Sequence, residues 1–232
     1  MRSVSLDSCR GYLKAHAQAG GREPVRTLPV VTISRETGAG AETIGLLLAA
    51  RLNARNPGKN GCPWTVFDRN LVEKVLEDHQ LPTEIKQFVS EDASVFSPRS
   101  VVEELLGLHP STWTLVQHTT DTILGLARMG NVILVGRGSN VIASHCERAI
   151  HVRLVAPRVI RIERAAEYYQ LTRREAARFV RESDAARRRY VKVNFKVAID
   201  DPLQYHATLN TGLITFEAAA RVIADAVPNN QV

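Results

Sequence analysis

The run Ser34-Arg35-Glu36-Thr37-Gly38-Ala39-Gly40 has the residue types that capture of an anion requires, and Thr43 follows three residues later. Glycines at 38 and 40 let backbone N–H groups close around a phosphate, with Ala39 between them adding a third. A helix that begins directly after such a turn points its positive end at the same anion. The Thr43 hydroxyl, in the first turn of that helix, is placed for a phosphate oxygen or for Mg²⁺. The remaining candidates are guanidinium groups. Of the 30 basic residues 24 are arginine, and residues 148–196 hold twelve arginines and two lysines against five acidic residues. Arginine presents a planar fork that matches phosphate, whereas lysine is a point charge. A local excess of this kind points to a polyphosphate partner: a nucleotide, a nucleic acid or an anionic lipid.

Phosphate loops of the pattern G-x-x-x-x-G-K-[ST] are the nearest general comparison. Gly40 and Thr43 keep a variant of that spacing with one more residue before the Thr. Arg35 stands at the leading Gly, and Ala41 at the Lys.

These residues need a strand before them and a helix after them, and the sequence supplies both. Leu28–Ser34 is an apolar, β-branched run that reads as a buried strand. Residues 42–54 place Ile44, Leu47, Leu48 and Leu52 at helical spacing. Further strands are expected at 64–67, 132–135, 149–155 and 205–209. Helices are expected at 11–19, 70–79, 101–108 and 112–129, from Pro157, from the capping box Thr172-Arg173-Arg174-Glu175, and from Thr215 to Val227. Strands alternating with helices imply an α/β fold with a parallel sheet covered on both faces. Ligands in such sheets lie beyond the carboxyl ends of the strands. The loops after Ser34, Phe67, Val135 and Val155 are therefore expected to share one site.

The ordered set of segments resembles the cytidylate kinase-like family, a branch of the P-loop nucleoside monophosphate kinases. The residues that carry it are Val31 to Gly40, Phe67-Asp68-Arg69, Val132 to Asn140, His151 to Pro157, Ser183 to Tyr190, Asp201-Pro202-Leu203 and Leu209-Asn210-Thr211. The resemblance runs from about residue 28 to the C-terminus and leaves residues 1–27 as an N-terminal extension. It implies a three-layer P-loop kinase fold with a helical monophosphate-binding insert at about 69–130 and an Arg-rich lid at about 172–200. It also implies transfer of the γ-phosphoryl group of ATP to CMP, dCMP or a related acceptor, with Mg²⁺. By position, Gly38, Ala39, Gly40, Thr43 and Arg187 would bind the ATP phosphates, and Thr43 the metal. Asp68, Arg69 and Arg137 would bind the acceptor.

The departures from the family pattern are Ala41 for the loop lysine, Glu42 beside it, Gly138 where the related enzymes carry Asp, and Val135 where a carboxylate often helps hold metal. Phosphoryl transfer depends on positioning and charge neutralisation, so the missing charge must come from other groups. Arg35 in the turn and Arg181 and Arg188 in the lid are the catalytic candidates. Arg181 and Arg188 are seven residues apart on one helix face, with Asp184 between them. Plainer roles stay open: a solvated charged helix for the lid arginines, a carboxylate pair for Arg137, a helix cap for Asp68. A non-catalytic nucleotide sensor is the second functional reading, and a nucleic-acid binder using the basic stretch ranks below it.

Composition excludes several classes. At 44% hydrophobic and 23% charged residues the chain is globular. It has no run of roughly 18 apolar residues for a membrane span and no apolar leader segment, so a cytoplasmic protein is expected. Cys9, Cys62 and Cys146 are odd in number and widely spaced, which fits reduced thiols rather than disulfides. The seven histidines show no H-x-x-x-H or H-E-x-x-H spacing, and a histidine metal site is not expected.

Overall fold

The structure, a computed structural model, describes residues 6–19, 28–55, 62–68, 112–136 and 138–228. The helices expected at 70–79 and 101–108, together with Arg69 and Arg137, lie outside the described residues. In chain order the elements are α1 (Leu6–Ala19), β1 (Val30–Arg35), α2 (Ala41–Arg55), β2 (Thr65–Phe67), α3 (Thr112–Met129), β3 (Val132–Val135), α4 (Ser139–Ile142) and β4 (Ala149–Val155). They continue as α5 (Arg158–Tyr169), α6 (Arg173–Phe195), a 3₁₀ turn (Pro202–Gln204), β5 (Ala207–Asn210) and α7 (Phe216–Ala226).

All four strand pairings are parallel, and the order across the sheet is β2-β3-β1-β4-β5. The strands are short and apolar because both sheet faces are covered. Val31, Ile33, Ile133 and Val135 point to one face, where they meet Ile44, Leu48 and Leu52 of α2 and Ala219 and Ile223 of α7. Val30, Val132 and Leu134 point to the other, against Tyr12 and Leu13 of α1 and Ile123 and Leu126 of α3. Three layers result, as the alternation of strands and helices predicts. Among the described residues no helix is long and apolar enough to cross a membrane.

The N-terminal extension is part of this core. Tyr12 is fully buried, meets the Phe67 ring edge-on at 5.5 Å, and donates its hydroxyl to the Gly130 carbonyl.

Helices α5 and α6 form a hairpin with a small core of its own, in which Ala165, Ala176 and Val180 are buried. The capping box at its turn is formed as expected: Thr172 accepts from the Glu175 N–H, and Glu175 accepts from the Thr172 N–H at 2.9 Å. β1 connects outward to β2 on one side, and β3 connects across to β4 on the other. The crossover connections diverge between β1 and β3, so a crevice opens beyond their carboxyl ends.

Candidate functional site

The turn between β1 and α2 is shaped by two left-handed glycines, Gly38 at φ +83° and Gly40 at φ +82°. Side chains at either position are also sterically barred. A Cβ on Gly38 would stand 2.4 Å from the Arg161 carbonyl oxygen, and one on Gly40 would stand 2.4 Å from the Phe216 ring. Glycine thus sets the curl of the turn and its contact with α5 and α7. Among the described residues no protein acceptor meets the N–H of Gly38 or Gly40. Thr43 lies half-buried in the first turn of α2.

The N–H of Thr37, one residue earlier, has a partner from the far end of the chain. It donates to Oδ1 of Asp184, on α6, at 2.8 Å, and the Thr37 hydroxyl donates to the same oxygen at 2.7 Å. Oδ2 of Asp184 accepts from Nη1 of Arg161 at 2.6 Å. Arg161 is itself buried; it donates to the carbonyls of Ala156 and Thr37 and lies 3.2 Å from the Glu36 carboxylate. Arg187, one helical turn beyond Asp184, donates to the Thr37 hydroxyl at 2.8 Å and lies 3.3 Å from Asp184 Oδ1. Helix α6 is therefore seated on the glycine turn.

The crevice between β1 and β3 holds a cleft of about 290 Å³. Arg35, Gly136, Asn140, Ser183, Arg187 and Tyr190 are among its walls. The Arg35 guanidinium lies across Gly136, whose φ is +89°; a Cβ there would stand 1.8 Å from Arg35 Nη1. Arg35 and Arg187 thus reach one cleft from β1 and α6.

Arg181 and Arg188 do not join them. Arg181 is exposed and lies 3.6 Å from Glu182. Arg188 donates to Asp200 at 3.0 Å, and Asp200 also receives the buried Arg153 of β4. Asp184 lies between Arg181 and Arg188 in the sequence, but its bonds go to Thr37, Arg161 and Arg187. The cause is burial: Asp184 points inward with its side chain 11% exposed, whereas those of Arg181 and Arg188 are 65% and 55% exposed. Asp68 closes β2 at the same sheet edge and is half-buried.

Arg153 and Arg161 escaped sequence reasoning. Arg153 donates to Ser34 Oγ at 3.0 Å, and the Tyr205 hydroxyl, which donates to the Ile199 carbonyl at 2.9 Å, lies 3.2 Å from the same atom. The available signal was an arginine inside an apolar strand and another on the inward side of α5, positions where an arginine must be paired.

The sequence profile of the cytidylate kinase-like family matches residues 30–213. The chain belongs to the cytidylate kinase-like family. Among solved structures, it is similar to an uncharacterized protein from Eubacterium ventriosum ATCC 27560, with 16% identity, a TM-score of 0.59, and coverage of 86% of this chain and 98% of that one. It is also similar to the shikimate kinase from Bacteroides thetaiotaomicron, at 12% identity, a TM-score of 0.49, and coverage of 85% and 97%. No curated protein matches.

Within this P-loop kinase fold, each departure from the family pattern has a local reason. Ala41 is 7% exposed and packs into the core beneath α2. Val135 is buried in the same cluster. Gly138, at φ +71°, would drive a Cβ to 2.3 Å from the Phe195 ring, so Asp does not fit there. Glu42 accepts the Tyr168 hydroxyl at 2.9 Å, joining α2 to the end of α5. That bond, ahead of burial, pushes the Tyr168 pKa up to about 12. The family match leaves out α1, although α1 covers one face of β2.

Proposed function

We propose that this kinase-family chain transfers the γ-phosphoryl group of ATP to a nucleoside monophosphate, CMP or dCMP being the first acceptors to test. The observation that carries this reading is the meeting of Arg35 and Arg187 in one cleft beside the glycine turn. Backbone amides of the turn and the start of α2 would hold the phosphates, with Gly38, Ala39 and Gly40 supplying the curl. The two guanidinium groups would neutralise the charge that develops on the transferred phosphoryl group, a contribution on the order of 10³–10⁵ in rate for a well-placed arginine. Arg188 would reach the phosphates on release from Asp200, and Arg181 on release from its neighbour Glu182. Asp68, Arg69 and Arg137 would line the acceptor side.

Mg²⁺ fits the donors present. It uses one or two protein oxygens together with substrate phosphates rather than a full protein cage, and the Thr43 hydroxyl at the start of α2 is such an oxygen. The metal would supply further neutralisation of the phosphate charge. The cytoplasm, as the home of nucleotide pools, is the proposed location.

The test is ADP release from MgATP in the presence of CMP, dCMP and the other nucleoside monophosphates. We expect turnover with at least one acceptor. Absence of turnover with all of them, with MgATP binding intact by calorimetry, would favour the second reading, a nucleotide sensor. Ala41, Val135 and Gly138 motivate that alternative, since none carries a side-chain group that can act on phosphate or metal.

A further inference from the structure

We propose that Asp184 is a positioning residue that registers Arg187 against the phosphate turn, so that this guanidinium takes over the place of the lysine which Ala41 lacks. The inference rests on the phosphotransferase reading above and names the contact that makes it work.

Four donors surround the Asp184 carboxylate: the Thr37 N–H, the Thr37 hydroxyl, Arg161 Nη1 and Arg187 Nη1. Two of them belong to the turn itself. A third, Arg161, is 7% exposed and fixed by backbone carbonyls of the turn and of Ala156. The carboxylate therefore takes its place from the turn and α5 rather than from solvent. Arg187 follows three residues later on the same helix face, where side chains of one turn meet. Its Nη1 reaches both the carboxylate and the Thr37 hydroxyl. Sliding or rotating α6 breaks the bonds to Thr37 and Arg161 together, while the Asp184–Arg187 pair travels with the helix.

An exposed i,i+3 pair would hold nothing in place. This one is different because Asp184 is 11% exposed and charge-assisted bonds fill its oxygens. Arg187 is less enclosed, at 27%, and borders the cleft. Its guanidinium is thus held beside the turn while part of it remains open to the cleft. A P-loop lysine performs the same task from within the loop, reaching the phosphates as a point charge.

The test is a double-mutant cycle on the full chain, with MgATP as the probe and calorimetric affinity as the readout. Arg187→Ala should weaken MgATP binding about tenfold or more. Asp184→Asn keeps the size of the side chain and one acceptor but removes the ion pairs. It should weaken binding about tenfold where Arg187 is present, and not at all in the Arg187→Ala background, where the lost negative charge can only help an anion. Thr37→Val, which deletes the hydroxyl but keeps the N–H, provides a second route if Asp184→Asn fails to fold. Its effect should also vanish once Arg187 is gone. Equal weakening in both backgrounds would mean that Asp184 supports the fold without acting through Arg187, and the proposal falls. A wild-type chain that binds no MgATP overturns the phosphotransferase reading itself, and this inference with it.

Discussion

The ring of Phe195, the last residue of α6, occupies the space in which Gly138 would carry a side chain, 2.3 Å from the Cβ position. Gly138 is also left-handed, at φ +71°. Gly138→Asp, which restores the residue of related enzymes, is therefore expected to destabilise the chain. Left-handed backbone and overpacking together cost on the order of 2–4 kcal/mol. Thermal or urea melting of the purified variant checks this. The same substitution should cost less in a Phe195→Ala background, and an equal cost there would show that the ring is not the obstacle.

Gly136 and Arg35 are related in a similar way, but with a kinetic consequence. The guanidinium lies where a Cβ would stand, so Gly136→Ala must displace it. Gly136→Ala is expected to reproduce the defect of Arg35→Ala: turnover of MgATP with the best acceptor lowered about 100-fold or more. Arg35→Lys should recover little of it, because a point charge does not replace the planar fork. Steady-state kinetics of the three variants decide this, and a Gly136→Ala variant with wild-type turnover would remove Arg35 from the reacting groups.

Much of this architecture was legible in the residues. The strand at 132–135 and the strand at 149–155 are apolar runs bounded by turn residues, and they lie where expected. The caps at Thr172 and Thr215 are local patterns, and both form. Boundaries shifted where local signals were shared. β5 runs over Ala207–Asn210 instead of starting at Tyr205, since Asp201 caps a 3₁₀ turn over Pro202–Gln204. The site divided differently. Gly38 and Gly40 announce a turn because glycine has few substitutes at positive φ. The bond from Thr37 to Asp184 joins residues 147 apart, and no spacing rule reaches that far. The residue that an arginine selects among several carboxylates is settled by burial, so helix periodicity placed Asp184 with Arg181 and Arg188, while packing placed it with Arg161 and Arg187.

The Tyr168–Glu42 bond offers a spectroscopic handle on the contact between α5 and α2. The tyrosine is about half exposed, so the bond adds little stability, yet it pushes the phenol up to about 12. A raised value means that the protonated, hydrogen-bonded form is favoured in the folded chain. The contact is therefore complete below the ordinary tyrosine value near 10 and lost as pH rises through 12. Ultraviolet titration should show one tyrosine moving down toward 10 in Glu42→Gln, and the same transition should vanish in Tyr168→Phe. No change in Glu42→Gln would mean that the contact is not kept in solution.

Stability in mild acid is expected to depend on His151. The residue is 8% exposed on β4, its Nδ1 lies 2.8 Å from Thr32 Oγ1, and its backbone N–H donates to Nδ1 of His206. That last bond makes the His206 Nδ1 an acceptor, so a neutral His206 carries its proton on Nε2. Burial, followed by the charge of His206, lowers the His151 pKa from 6.5 to about 4. A lowered value favours the neutral form in the folded chain. The stabilisation is therefore present in full above pH 6.5, declines as pH falls from 6.5 toward 4, and levels off below, with a ceiling of about 3 kcal/mol from linkage. Urea unfolding at successive pH values should show this slope in the wild type and a flatter profile in His151→Gln. An unchanged slope in His151→Gln would assign the acid sensitivity to other groups.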